Sequence, residues 1–518
     1  MSRINTNIPS LIARANLGRS EADLNVRLER LSTGLRINRG ADDPAGLIIS
    51  ERLGSEISGL QQAIRNSERA SSVIATAEAA LAEVADLLNS IRGLVVEAAN
   101  TGAISDEERE ANQLQINSAI DSITRIASSA SFGGLNLLNG SLDYVLSGVS
   151  SSAVTTARIF GANFVNRSSI SVDVETIASA QTGALFLRGD YAAGPFGNGR
   201  LQSSVTLEIA GPLGVQTVSF LSGVTLDRVR DSINTFRDAT GVSAALINGD
   251  INSGIVFSSV GFGSGDFVSV TRLGSSGEFF ETYSFDSDGP VPAAIDIPAL
   301  IAGGQLTVAT RDDGRDVFAI VNGTLATGDG LRLSLPDNGV LSLELLLNSD
   351  LATRNGATTS FRITGGGALY QLGGDVSVTQ QINISLPSVT ASRIGGSLIS
   401  TLDGPELQFL DSLRSGGQND LRSLNFTNAS TILSAAIDEI ALIRGRLGAL
   451  ERNTLDTNVR SIQTAVENLS ASRSLIRDAD FAAETSELTR AQILSQASTS
   501  ALQLANQQSQ NVLALLGG

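Results

Sequence analysis

Residues 74 to 95 read Ile74-Ala-Thr-Ala77-Glu-Ala-Ala-Leu81-Ala-Glu-Val84-Ala-Asp-Leu-Leu88-Asn-Ser-Ile91-Arg-Gly-Leu-Val95. The apolar positions Ile74, Ala77, Leu81, Val84, Leu88, Ile91 and Val95 recur at alternating steps of three and four, which lays one stripe along a helix. Proline is absent from Ala45 to Gly194, so nothing interrupts that helix. A helix of about 50 residues is about 75 Å long, and leaving its large apolar side chains in water costs roughly 1.5 to 3 kcal/mol each. The stripe therefore needs a cover.

Outward from this segment the pattern repeats. Ile116, Ile120, Ile123, Ala127 and Ala130 form a second stripe behind the acidic run Asp106, Glu107, Glu108, whose charge suits a helix N-terminus. Asn100-Thr-Gly102 reads as the turn between two antiparallel helices. After Pro405, the last proline, come Leu433, Ala436, Ile440, Ile443, Leu447 and Leu450, then Leu455, Val459, Ile462, Val466 and Leu469. The extreme ends are amphipathic as well: Leu24, Leu28, Leu31 and Leu35 at one, Ile493, Ala497, Ser500 and Leu504 at the other. Ala491, Ala497, Ala501 and Ala505 allow a close helix approach there.

The centre has a different grammar. All Phe and Tyr residues except Phe132, Phe409, Phe426 and Phe481 lie between Tyr144 and Tyr370. Period-two runs such as 204–209, 215–220 and 331–335 are punctuated by Gly, Asp and Asn and read as strands. One helix interrupts them, with Leu226, Val229, Ile233 and Phe236 on one face and Gly241 as its stop. The expected class is α+β: long terminal helices packed as a coiled-coil or bundle shaft, with a mainly β central region forming outer domains.

Composition excludes much chemistry. The 518 residues are 42% hydrophobic and 17% charged, enough apolar material for a large core. Cys, His, Trp and Lys are all absent, so the 36 basic residues are all Arg. That removes thiol nucleophiles, Ser-His-Asp triads, the usual zinc sites, disulfides, Schiff bases and phosphate-binding lysines. No enzyme, cofactor or metal is expected. A net charge of -17 and a pI near 4.6 argue against nucleic acid and anionic lipid as partners. The opening residues lack the pattern of a cleavable signal, and no apolar run approaches a spanning length, so membrane insertion is not expected.

Some acidic and glycine-rich stretches invite a site reading. Asp42-Asp43-Pro44 reads better as a turn and helix start, and Asp312 to Asp316 as a polar turn rather than a calcium loop. Gly261 to Gly265 lacks the strand-to-helix context of a nucleotide fingerprint and reads as a loop between strands. The sequons at Asn166 and Asn322 are nonspecific.

The flanks resemble bacterial flagellin. The N-terminal match is Arg30-Leu-Ser-Thr-Gly-Leu-Arg-Ile-Asn38 followed by 41–50; the C-terminal match is stronger, through 468–481, 484–494 and 505–516. Residues 205–270 resemble the family's strand-strand-helix-strand insert, 314–347 match one more weakly, and 368–396 resemble its return segment to the helical core. The expected segments are terminal helix 1–45, helical core 46–140, β connector 141–200, insert-like β/α domain 201–280, second β domain 281–365, β return 366–403, helical core 404–470 and terminal helix 471–518.

The resemblance implies a structural subunit, exported through the flagellar channel and polymerised at the filament tip, with paired terminal helices. It marks Leu24, Leu28, Leu31, Leu35, Ile493, Ala497, Leu504, Leu513 and Leu516 as assembly residues, with an ordinary surface helix as the other reading. Short helices are marginal alone, so these ends are expected to order on assembly. For 70–130 and 430–470, an intramolecular bundle and direct subunit contact both stay open. Implied partners are other copies, an export chaperone at the C-terminal segment, the filament cap, hook-junction proteins and O-glycans on the central domains. Flagellins also engage an innate immune receptor through a helical patch; here Arg92, Leu94 and Val96 match it, while Ser90 and Glu97 replace Arg and Gln, so weak activation is expected. A hook-filament junction protein is the alternative; a flagellin carrying a metalloprotease would need the histidines this chain lacks. A carbohydrate-binding or adhesive role for the central domains is a further option.

Overall fold

The computed structural model describes residues 6–164, 167–188, 199–274, 280–285, 295–336, 339–401 and 404–516. Its helices are α1 (Ile8–Thr33), α2 (Pro44–Ala98), α3 (Asp106–Ser129), α4 (Leu226–Asn234), α5 (Arg237–Thr240), α6 (Ile297–Ala302), α7 (Ser349–Ala352), α8 (Phe426–Leu450), α9 (Asp456–Arg477) and α10 (Phe481–Leu516). The π-helical turn Glu451–Leu455 connects α8 to α9 without a loop. The chain divides into two compact units.

The first unit comprises Met1–Ser71, Gln371–Gln381 and Leu450–Gly518. Local chemistry sets its helix ends. The Asn7 side chain accepts the Ser10 N–H and Pro9 occupies the first turn of α1; Gly34, at φ 71°, terminates it in the left-handed conformation that glycine adopts without strain. Asp43 accepts the Gly46 N–H at 2.9 Å and starts α2 ahead of Pro44. Asp42 accepts the N–H groups of Arg39 and Asn38, which hold its carboxyl below the usual range. The Asp42-Asp43-Pro44 stretch is thus a turn and helix cap.

The second unit comprises Ser72–Tyr370 and Ile382–Ala449. Its helical part is a bundle of α2 from Ser72, α3 and α8. The stripe quoted at the outset is buried throughout, as are Ile116, Ile120 and Ile123 of α3 and Ile432, Leu433, Ala436 and Ile440 of α8. Burial within this unit accounts for the seams of α2, α3 and α8; on α9, in the first unit, Ile462 is buried while Val459, Val466 and Leu469 are half-buried. Ser105 and Glu108 form a capping box at the start of α3. Gln113 is buried with its donors and acceptor used: Nε2 donates to the Leu413 carbonyl and Oε1 accepts the Leu421 N–H, both at 2.8 Å.

One sequence expectation needs correction. The helical stretch Phe426–Arg477 contains a window long and apolar enough to cross a membrane, by length and composition. Within the second unit its stripe is spent on the bundle core, which explains the hydropathy.

The β part holds three larger antiparallel sheets. The eight-stranded sheet runs in the order Tyr144–Ser147, Thr358–Gly366, Ile170–Ala178, Phe318–Val321, Thr324–Asp329, Arg332–Leu335, Leu341–Leu347 and Val154–Ala162. Alternation places Val172, Val174, Ala319, Val321, Phe361 and Ile363 in one core. A four-stranded sheet containing the hairpin Val205–Gly211 and Gly214–Phe220 and a five-stranded sheet containing Val242–Leu246 and Gly254–Ser259 share a second core with α4. The expected helix here is shorter than its apolar spacing suggests. It ends at Asn234, whose side chain takes the Ala244 N–H at 2.8 Å and gives to the Ala244 carbonyl at 2.9 Å, so Phe236 falls in the break before α5, which Gly241 closes.

The remaining polar stretches are structural. Asp312 accepts the Ala184 N–H at 2.7 Å, and Asp316 accepts those of Gly330 and Ser264. Gly261 to Gly265 lies between the strands Gly254–Ser259 and Phe267–Leu273. Asn322 sits in a turn, its side chain bonded to the backbone of Ser171 and Asp173; Asn166 lies outside the described residues. No group of three or more metal-ligating side chains occurs among the described residues.

Candidate assembly surface

The surface is built by α1 and α10, which lie against each other in the first unit. The pair is antiparallel: Asn7 Nδ2 donates to the Ala505 carbonyl at 3.1 Å, Ser10 bonds Asn506 at 2.8 Å, Ser20 meets Ser498 at 3.5 Å, and Arg30 reaches Glu484. On α1 the positions withdrawn from water are Ser10, Ala13, Leu17, Ser20, Leu24, Arg27 and Leu31, again spaced by three and four. On α10 they are Glu484, Leu488, Ala491, Ser495, Ser498, Leu502 and Ala505. This seam is made mostly of small or polar side chains.

Among the described residues, its strongly electrostatic point is at the base. Glu484 is 7% exposed and receives Arg27 Nη1 at 3.1 Å and Arg30 Nη1 at 3.2 Å. The hydrogen bond to Glu484 pushes the Arg27 guanidinium further up, so the cation is permanent. Next to it the backbone joins the two ends of the chain: Arg36 N–H donates to the Arg477 carbonyl at 2.7 Å, and Ala479 N–H to the Gly34 carbonyl at 2.9 Å. Leu35 pairs with Asp478 in the same place.

The residues marked from the sequence divide between two faces. Leu24 and Leu31 lie in the seam and Leu35 is half-buried at its base, whereas Leu28 is 46% exposed on the outer side. Ile493 and Leu504 are 60% and 62% exposed, and Ala497 is exposed with them. Leu513 and Leu516 belong to α10, but their side chains lie outside the described residues. Of the alanines expected to allow close approach, Ala491 and Ala505 face α1 while Ala497 and Ala501 are exposed; Ser495 and Ser498 of the inner face carry too little hydropathy to be marked from the sequence. The even spacing of Ala491, Ser495, Ser498, Leu502 and Ala505 was the available signal.

The pair therefore leaves large apolar residues outside as well as in its seam. Leu11, Ile12, Leu28, Ile493, Leu494 and Leu504 point to solvent, while Leu17, Leu24, Leu31, Leu488 and Leu502 alternate with Ala and Ser inside. Elsewhere, in the second unit, Ser90, Arg92 and Glu97 are exposed on α2 and Leu94 is half-buried beside them, backed by the buried Ile91 and Val95.

Comparison with known proteins supplies the family. The family model for the bacterial flagellin N-terminal helical region matches residues 4–143, and that for the C-terminal helical region matches 431–516. A B-type flagellin of Pseudomonas aeruginosa is 30% identical over 99% of both chains, and a flagellin of Salmonella typhimurium is 29% identical over 99% of both. A solved structure of a flagellar hook-associated protein 3 from Legionella pneumophila is matched over 82% of this chain and 97% of that one, at 11% identity and a TM-score of 0.31. With two terminal family regions and relatives aligned from end to end, this chain belongs to the bacterial flagellin family.

Proposed function

We propose that the α1/α10 pair is the polymerising element, and that its bare outer stripe is covered by the terminal helices of neighbouring subunits. As a flagellin the chain is a structural subunit of the extracellular flagellar filament, exported through the flagellar channel and added at the tip. The observation that supports the role of the pair is its exposed apolar surface. Burying a large aliphatic side chain contributes roughly 1.5 to 3 kcal/mol, and Leu11, Ile12, Leu28, Ile493, Leu494 and Leu504 forgo that gain in the free chain. Neighbouring copies recover it. A seam diluted with Ala and Ser and nowhere buried as fully as that of α2 also leaves the isolated pair marginal, so its ordering is tied to assembly.

The same reading assigns the chain no catalytic role. It extends to an export chaperone on the C-terminal segment, to the filament cap and hook-junction proteins as assembly partners, and to O-glycans on Ser and Thr of the central domains. It keeps the eight segments from 1–45 to 471–518 as functional divisions. Weak receptor activation follows from Ser90 and Glu97 on the exposed α2 face, and a potent response of receptor-reporter cells at low protein concentration would contradict it.

Seeded assembly tests the proposal. Purified chain is mixed with short filament fragments and followed by pelleting and negative-stain microscopy, beside a version lacking residues 485–518. Long filaments from the intact chain and none from the truncation are expected. Equal growth of both would end the assignment of polymerisation to this pair.

A further inference from the structure

A slip of the pair must break the backbone bonds of Arg36 and Ala479 at its base, but the inner seam itself has little means of choosing an alignment. Ala13, Ser20, Ala491, Ser495 and Ser498 are of similar size and Leu17, Leu24 and Leu31 recur every seven residues, so shifting one helix along the other by a heptad again sets leucines and small side chains together. The neutral contacts of Asn7, Ser10 and Ser20 involve groups that water satisfies equally well. Glu484 is different, because it is a buried carboxylate with two guanidinium partners on α1. A slip of one heptad in one direction brings it level with Ser20 and Asp23, a hydroxyl and a second carboxylate. In the other direction it passes beyond Thr33, where α1 ends. Both leave a desolvated charge without its cations.

We infer that Glu484, gripped by Arg27 and Arg30, is a positioning residue that selects the single register in which α1 and α10 enter the filament. This rests on the pair being the polymerising element. Ionic groups of this kind add little net stability over a well-packed apolar substitute, and their use lies in penalising the alternatives. The outer stripe depends on that choice. A heptad slip carries Leu504 about 10 Å along α1, away from the level of Leu11 and Ile12 that the Asn7–Ala505 and Ser10–Asn506 bonds give it. A neighbouring subunit would then meet a broken surface.

The absence of cysteine makes register directly measurable. Ser20→Cys with Ser498→Cys reports the observed alignment, since these hydroxyls are 3.5 Å apart. Ser20→Cys with Ala491→Cys reports the slipped one. Full-length variants, as a trace in excess unaltered chain, are copolymerised on seeds, pelleted, mildly oxidised and scored for intrachain crosslinking. With Glu484 in place the first pair is expected to crosslink about tenfold more than the second. Glu484→Ala is expected to bring the two within about threefold, or to keep the variant out of filaments. Exchanging the charges, Glu484→Arg with Arg27→Glu and Arg30→Glu, restores both the preference and the incorporation.

An unchanged crosslink ratio in Glu484→Ala overturns the inference. So does a loss that the charge exchange fails to repair. Failure of the unaltered chain to extend seeds would instead sink the polymerisation reading, and the same crosslink ratio in the free chain would still decide the register.

Discussion

The stripe of α2 in the second unit and the seam between α1 and α10 in the first share one spacing and differ in how far they take large side chains out of water. The first buries Ile74, Leu81, Leu88 and Ile91 fully within one chain; the second half-buries Leu24, Leu31 and Leu488 among Ala13, Ala491, Ser495 and Ser498 and leaves Ile493 and Leu504 outside. A helical repeat of three and four therefore says only that a face exists. Which side chains occupy it decides whether the chain satisfies that face alone or needs copies of itself.

The contrast breaks if the outer stripe proves dispensable. Ile493→Ser with Leu504→Ser removes roughly 3 to 6 kcal/mol of intersubunit burial, so seeded growth should fall more than a hundredfold. The thermal melt of the free chain should stay where it was. A matching fall in melting temperature would mean that these residues serve the chain's own fold.

The mirror experiment is Leu88→Ala. This fully buried side chain is expected to destabilise the second unit by about 2 to 5 kcal/mol in denaturant titration of the monomer. Assembly of the surviving folded fraction should proceed at the ordinary rate.

A smaller effect sharpens the picture of the β part. The Tyr144 hydroxyl accepts the buried Ala162 N–H at 2.8 Å and donates to the Asn383 carbonyl at 3.3 Å, and burial pushes the phenol up to about 12. Tyr144→Phe orphans the Ala162 N–H and should cost about 1 to 3 kcal/mol. In the intact protein the contribution of this neutral phenol is complete below its ordinary pKa near 10 and is lost as pH rises through about 12. Ultraviolet titration of the wild type should therefore show a tyrosine ionising near 12.

The smallest expected effect concerns a buried charge of the second unit. Glu439 on α8 bonds Arg158 at 2.8 Å and accepts the Gly395 N–H at 3.1 Å, with Glu344 and Arg332 close by; burial nevertheless raises its carboxyl above the usual range. A raised acid contributes stability that is complete below its unfolded pKa and fades as pH climbs through the folded one. Measured as a difference between wild type and Glu439→Gln, melting temperature should rise for the wild type as pH is lowered from 7 toward 4. An opposite slope would mean that the Arg158 pairing outweighs desolvation.

Much of the helical architecture was legible before any coordinate, because period and proline are local. The interval from Ala45 to Gly194 without proline and the spacing of Ile74 to Val95 suffice for α2 and its buried face. The caps at Asp43, Ser105 and Gly34 are local as well. Reading the site was harder. Leu24 and Leu31 are legible as seam residues because they are large, and Ala491 and Ala505 as points of close approach; hydropathy does not mark Ser495 and Ser498, and it favours Ile493 and Leu504, which lie on the other side of α10. Glu484 escaped attention because one acid in a polar helix carries no local mark.

The sequence by itself determined that this is an α+β chain with helical ends, β structure between them and no cysteine, histidine or lysine chemistry, since composition and short-range periodicity depend only on neighbours along the chain. Its terminal motifs also carried the family. Tertiary structure alone decided that Val154–Ala162 pairs with Leu341–Leu347, that Arg158 meets Glu439, and that Glu484 lies between Arg27 and Arg30. Those partners are separated by some 190 to 460 residues, and a choice at that distance is made by closing the chain, where burial and charge are settled together.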